Sequence, residues 1–216
     1  MKTMIELFSG SGKMAKCFRA EGYQTFTIDI DPYLETDLEA DIGNLSILDI
    51  PKKFRNPDVI WAGLDCTYFS GANTHNGGHF DTNGKPKTLH AKESVDLLVR
   101  TLALIKNLNP KFWFLENPGG NGAIKRIKMM KNYPSVEIYY CQYGAKIMKP
   151  TMLYGRFPSA WIPRVVCSCI RHEEGIQNSK RAKLDRSEYP DLLCYDIVKA
   201  CNNSNTSAWK TLEEYV

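Results

Sequence analysis

Pro57-Asp58-Val59-Ile60-Trp61-Ala62-Gly63-Leu64-Asp65-Cys66-Thr67-Tyr68-Phe69-Ser70 begins apolar, turns polar, and carries a cysteine near the change. The uninterrupted run Val59 to Ala62 suits a strand buried on both faces, as in the centre of an open α/β sheet. The residues after it read as a loop, so Cys66 is delivered where the backbone leaves the sheet. A thiol at the carboxyl end of a central strand can be partly exposed and become a thiolate. The other reading is a cysteine that merely packs, since free Cys is among the most buried residue types.

The same pattern recurs in Lys111-Phe112-Trp113-Phe114-Leu115-Glu116-Asn117-Pro118-Gly119-Gly120, an apolar strand emptying into polar residues and a turn. Alone, Glu116 would read as a loop carboxylate. Beside Cys66 it supplies the acid that nucleophilic attack by a thiol can use.

Towards the amino end, Thr3 to Phe8 reads as a short strand, followed by Ser9-Gly10-Ser11-Gly12 and a helical stretch from Lys13 to Glu21. Strand, glycine turn and helix start in that order bring backbone N–H groups and a positive helix end to the sheet's ligand crevice. The next strand, Tyr23 to Ile28, ends in Asp29-Ile30-Asp31-Pro32. Asp29 lies about 20 residues beyond the glycine turn, where an acid can accept hydrogen bonds from a ribose. Ala40-Asp41-Ile42-Gly43 offers a further acid at the end of a third strand, able to address the amine of an adenine ring.

Chain length (216 residues), with 43% hydrophobic residues, fits one domain. The net charge of +4 is a mild bias towards polyanions. Seven cysteines without a regular framework, and no apolar leader at the start, predict reduced thiols and a cytoplasmic location. No stretch approaches a membrane span. Ala91 to Leu108 is predicted as a helix with Val95, Leu98, Val99, Leu102 and Ile105 on its core stripe, stopped by Asn109-Pro110. Gly71 to Thr88 is polar, without periodicity and long for a connection, and reads as a lid. His75, His79 and His90 lack a metal-ligand spacing and read as loop polar groups or phosphate contacts.

Phe8-Ser9-Gly10-Ser11-Gly12, the strand-tip acids Asp29 and Asp41, Cys66-Thr67-Tyr68-Phe69-Ser70 and Glu116-Asn117-Pro118 occur in an order that resembles the DNA (cytosine-5) methyltransferases, especially their short phage and prophage members. The resemblance spans about residues 3 to 155 and extends more weakly to a helix at Asp191 to Cys201. It implies a doubly wound, mostly parallel, Rossmann-like α/β fold that binds S-adenosylmethionine. Phe8, Ser9, Gly10 and Gly12 would hold the methionine and backbone side of that cofactor, Asp29 its ribose and Asp41 its adenine, with Ile30 and Ile42 also among the cofactor-binding residues. Cys66 would attack carbon 6 of cytosine, Glu116 would hold or protonate ring nitrogen 3, and Asn117 would fix the Glu116 loop. The partner implied is double-stranded DNA with the target base flipped out, bound by a monomer.

Val136 to Gly144 reads as another strand leading to a turn, with Pro150 and Thr151 as turn residues. Ser70, Gln142, Lys146, Lys149 and, in the basic tract beyond, Arg181 are the candidate DNA contacts. The family's recognition region would here be a minimal basic tract at about 157–188 within one domain of residues 1–216. Cys167, Cys169 and His172 offer three zinc ligands without a fourth at a recognised spacing, so no metal is assigned. The chain departs from the family pattern before the cysteine, where proline is usual and Leu64-Asp65 stands. A negative charge there opposes thiolate formation. An inactive nucleic-acid-binding relative, and an enzyme acting on RNA or a free nucleotide or transferring a larger group, are the alternatives.

Overall fold

The computed structural model describes residues 1–70, 78–170, 172 and 188–204. Strands β1 (Thr3–Leu7), β2 (Gln24–Asp29), β3 (Leu38–Glu39), β4 (Val59–Gly63), β5 (Phe112–Pro118), β6 (Ser135–Tyr139) and β7 (Pro150–Arg156) form one sheet in the order β3-β2-β1-β4-β5-β7-β6. The first five pair in parallel, whereas β7 runs antiparallel between β5 and β6. Strand order reverses between β1 and β4, and in such sheets the ligand crevice opens beyond the carboxyl ends at that point. This is the doubly wound α/β architecture expected from the sequence.

Successive strand residues face opposite sides of the sheet, and each side has its own core. Met4, Val59, Trp61, Phe112 and Phe114 pack with Met14 and Phe18 of helix α1 (Lys13–Ala20) and Ile197 of helix α3 (Asp191–Asn203). Ile5, Leu7, Ile60, Ala62 and Leu115 pack with Leu98, Leu102 and Ile105 of helix α2 (Leu89–Leu108). Thr88 caps α2 by accepting from the Ala91 N–H at 3.2 Å, and Asn109 ends it in the left-handed region at φ 43° ahead of Pro110. Val99, expected on the core stripe, is 44% exposed, and Leu104 and Leu108 are buried instead.

Two further expectations are corrected. Pro150 and Thr151 are not turn residues but the first residues of β7, where Pro150, lacking an N–H, accepts from the Gly119 N–H at 2.9 Å. The lid expected over Gly71 to Thr88 is in part core: Phe80 is buried and stacks on Phe69 with ring centroids 5.5 Å apart. Residues 71–77, which include His75, lie outside the described residues. Among the described residues no helix is long and apolar enough to cross a membrane.

Glu6, on β1, is fully buried on the α1 side of the sheet. Helix α1 has no side-chain cap of its own, and Glu6 Oε2 supplies one from the strand by accepting the Ala15 N–H at 2.7 Å. Its Oε1 has no partner among the described residues. Burial therefore dominates and raises the carboxyl to about 7, against the Ala15 hydrogen bond, which lowers it. A raised acid stabilises the fold below its unfolded value of 4.5 and loses that contribution as pH rises to about 7. The full effect is at most about 3 kcal/mol. Glu6→Gln keeps the acceptor and removes the charge, so urea unfolding should show it more stable than wild type at pH 8, with the difference shrinking towards pH 4.5.

Candidate active site

Three strand tips converge beyond the carboxyl edge of the sheet. At the first, the chain leaves β1 through Phe8, held at φ 56°, then Gly10 at 52° and Gly12 at 67°. Left-handed backbone is costly for Phe and free for Gly, so Phe8 is a strained residue of the kind that gathers at binding sites. The Gly12 N–H donates to the Ser9 carbonyl at 2.8 Å and the Gly10 N–H to Asp29 Oδ2 at 2.8 Å, which ties the β1 and β2 tips together. A Cβ built on Gly10 or Gly12 meets nothing within 4 Å, so the turn borders open space. Ser9 is 4% exposed, yet its hydroxyl has no partner among the described residues. A buried unpaired hydroxyl is costly, and a polar ligand seated in this turn would satisfy it. The residues present at this turn therefore fit a polar cofactor.

The other predicted cofactor residues divide. Asp29 reaches the turn through Gly10 and also accepts from the Asp31 N–H at 3.1 Å. Ile30 beside it is 63% exposed. Asp41 is occupied in capping the short turn Ile42–Asn44, accepting from the Gly43 N–H and Asn44 Nδ2 at 2.8 Å each. Ile42, expected among the cofactor-binding residues, is 3% exposed and packs in the core on the α2 side.

At the second tip, Asp65 Oδ1 accepts from the Thr67 N–H at 3.0 Å and the Thr67 hydroxyl at 2.7 Å, and the Ser70 N–H closes on the Cys66 carbonyl at 2.9 Å. Asp65 thus builds the turn that presents Cys66, a local role the sequence reading did not give it. The Phe69 carbonyl accepts from the Ala123 N–H at 2.7 Å and Tyr68 stacks on His90 at 5.2 Å, so both sides of the loop are held.

The third tip is that of β5. Glu116 lies in register with Gly63 of β4 on one side and Leu153 of β7 on the other. It is 7% exposed; its Oε1 accepts from the Tyr140 hydroxyl at 3.2 Å and lies 3.6 Å from Lys149 Nζ, which sits 4.6 Å from the centre of the Tyr140 ring. Asn117 is fully buried, and its Nδ2 donates to the Leu64 carbonyl at 3.2 Å, joining the β5 tip to the segment before Cys66.

Cys66 is exposed at the mouth of the site but has protein on most sides, and that loss of surrounding water raises its thiol above the ordinary range. The Glu116 carboxylate raises it further, the Lys149 ammonium opposes, and Asp65 adds a smaller rise. Thiol and carboxyl are thus close enough to feel each other.

The residues proposed as DNA contacts lie in several places. Lys149 belongs to the Glu116 cluster. Gln142 is engaged by neighbours, its Nε2 3.2 Å from Cys169 Sγ and its Oε1 accepting from Ser168 at 3.2 Å. Ser70 is half-buried beside the Cys66 turn and Lys146 is exposed. Arg181 lies outside the described residues. Sequence reasoning missed Tyr140, because only the pairing of β7 with both β5 and β6 brings the end of β6 back towards Glu116.

A family model for C-5 cytosine-specific DNA methylases matches residues 2–130, more than half of the chain. The chain belongs to that family. A Frog virus 3 protein named "Probable DNA (cytosine-5)-methyltransferase" is 30% identical over 150 residues, covering 65% of this chain and 64% of that protein. Entamoeba histolytica methyltransferase EhMeth is similar at 12% identity and TM-score 0.49, over 78% of this chain and 58% of that one. A Spodoptera frugiperda DNMT2 mutant is similar at 19% identity and TM-score 0.41, over 81% and 54%. This C-5 cytosine methylase family member therefore spans just under two thirds of its viral relative and little more than half of these solved chains.

Asp65→Asn retains the oxygen that accepts from Thr67 and removes the charge. Its Cys66 should react with iodoacetamide at lower pH than wild type, read by peptide mapping of the alkylated residue across a pH series. A midpoint that does not move would show that the Asp65 charge leaves the thiol unaffected. Asp65→Pro would remove charge and turn together and cannot separate them.

Proposed function

We propose that the chain transfers the methyl group of S-adenosylmethionine to carbon 5 of cytosine in double-stranded DNA, through a covalent adduct of Cys66 with a base flipped out of the helix. The observation that carries this reading is the convergence of Cys66 and Glu116 from adjacent parallel strand tips beside the glycine turn of β1. Family membership and the name of the viral relative support the reaction class.

Carbon 5 of cytosine is a poor nucleophile while the ring is aromatic. As a thiolate, the Cys66 sulfur forms a bond to carbon 6; the electron pair of the 5,6 double bond moves to between carbons 5 and 4, and the carbon 4–nitrogen 3 pair moves onto nitrogen 3. Glu116 holds or protonates nitrogen 3, so negative charge does not accumulate there. Tyr140 and Lys149 orient Glu116 for this task, and Asn117 holds its strand end against Leu64. Phe8, Ser9, Gly10, Gly12 and Asp29 would hold S-adenosylmethionine, which would supply an electrophilic methyl group on a sulfonium. The enamine-like carbon 5 would accept that methyl as the donor's methyl–sulfur bond breaks and leaves a neutral thioether; loss of the carbon 5 proton to a base would then re-form the double bond and expel Cys66 as thiolate. Reaching the ring requires flipping the base from the duplex.

A second reading, a relative that binds cofactor and DNA without turnover, is favoured by one observation: burial, Glu116 and Asp65 all disfavour the Cys66 thiolate. Duplex DNA containing 5-fluorocytosine separates the two, because fluorine at carbon 5 cannot leave as a cation and the adduct persists. With labelled S-adenosylmethionine, the expected result is a denaturation-resistant, labelled protein–DNA complex that Cys66→Ser abolishes. Glu116→Gln should slow its formation about 10²–10⁴-fold. Binding of both ligands with no adduct between about pH 6 and 9 would favour the second reading, and transfer only to RNA or a free nucleotide would overturn the choice of DNA.

A further inference from the structure

β6 ends at Tyr139, and Cys141 follows in the short turn Tyr140–Tyr143. Beyond β7 the chain folds back along this turn. The Arg164 N–H donates to the Tyr143 hydroxyl at 2.9 Å, its Nη1 to the Gln142 carbonyl at 2.7 Å, and its Nη2 to Asp196 of α3 at 2.8 Å. The guanidinium also lies 4.9 Å from the centre of the Tyr143 ring. Arg164 thereby brings Cys167, Cys169 and His172 against Cys141. One ligand atom from each of these four residues lies within 4.8 Å of all the others. Cys141 Sγ is 3.6 Å from Cys167 Sγ, which is 3.2 Å from His172 Nε2.

These separations bring all four donor atoms within reach of one ion. Zinc with Zn–S near 2.3 Å and Zn–N near 2.0 Å sets its ligand atoms roughly 3.5–3.8 Å apart. All the cysteines are free, so no disulfide claims these sulfurs. Three thiolates and one imidazole are soft donors that exclude magnesium and calcium and suit zinc. The sequence displays only the Cys167, Cys169, His172 part of the set; the fourth donor is separated from it by the whole of β7.

We propose that Cys141, Cys167, Cys169 and His172 bind one Zn²⁺ in a closed, structural Cys3His site. Four protein ligands leave no open position for a substrate, so the ion acts by holding chain segments together. It fastens the start of the basic tract after β7 to the end of β6, next to Tyr140, which donates to Glu116. Gln142 Nε2, 3.2 Å from Cys169 Sγ, donates to a ligand sulfur and steadies its charge. The site stands whether or not the methyl-transfer reading does.

The full chain, purified under reducing conditions without chelator, should carry about one zinc by mass spectrometric metal analysis. Cys141→Ser, Cys167→Ser and Cys169→Ser should each lose it, while Cys17→Ser on α1 retains it. Because a ligand variant can fail to fold, the wild-type chain stripped of metal and titrated with Co²⁺ gives an independent reading. It should develop the visible d–d bands of tetrahedral thiolate-bound cobalt, which equimolar Zn²⁺ then removes. A reduced wild-type chain that gives no such bands, zinc that persists in Cys141→Ser, or a Cys141–Cys167 disulfide in a chain that takes up no metal when reduced would each overturn the proposal.

Discussion

The pairing of Gly63 with Glu116 sets the height of everything in the site. Parallel strands in that register end level with one another, so the residues just past β4 and the last residues of β5 leave the sheet side by side. A one-residue slip would move Glu116 to the opposite face, away from Tyr140 and into the α2 core. The register is enforced from below by the alternating burial of Val59 to Ala62 and Phe112 to Leu115 in two separate cores. It is fastened at the top by Asn117, whose amide crosses to the Leu64 carbonyl. An acid at the end of a buried strand needs polar partners, and the antiparallel β7 and the end of β6 deliver them as Lys149 and Tyr140.

The parallel half of this arrangement was legible in the sequence because its signals are local. Apolar runs ending in Leu64-Asp65-Cys66 and Glu116-Asn117-Pro118, and a glycine turn between Leu7 and Lys13, each report a strand end within a few residues. The antiparallel half was not. Pro150-Thr151 reads as a turn in one dimension, and only pairing with β5 and β6 makes it a strand. Tyr140 and Cys141 are silent for the same reason: their partners lie far away in the chain, and no periodicity marks the contact. Val99 fails differently, since its spacing suits the stripe but its side chain is 44% exposed.

Asp65 shows how a departure from a family pattern can be judged by what it does locally. Proline before the cysteine would stiffen the loop through a fixed φ. Asp65 reaches a similar end by two hydrogen bonds to Thr67, and its charge is the cost at the neighbouring thiol. The turn is thus retained by a different device, with the electrostatics shifted against the thiolate.

That shift bears on how the proposed reaction would begin. Burial and the Glu116 carboxylate are the two largest influences raising Cys66, and Lys149 is the one opposing charge. In that reaction a proton taken up from solvent and shared between Glu116 and nitrogen 3 of the bound cytosine neutralises the carboxylate, so Cys66 no longer faces a full negative charge. In the proposed mechanism the arrival of the base therefore weakens the charge that holds the thiol protonated, and the nucleophile is released where its target already sits. A raised thiol pKa also lowers reactivity towards oxidants and stray electrophiles, which react with the thiolate. In the proposed mechanism the carboxyl that restrains Cys66 without substrate would become its partner once the ring is bound, and the register of two strands would let one residue serve both ends.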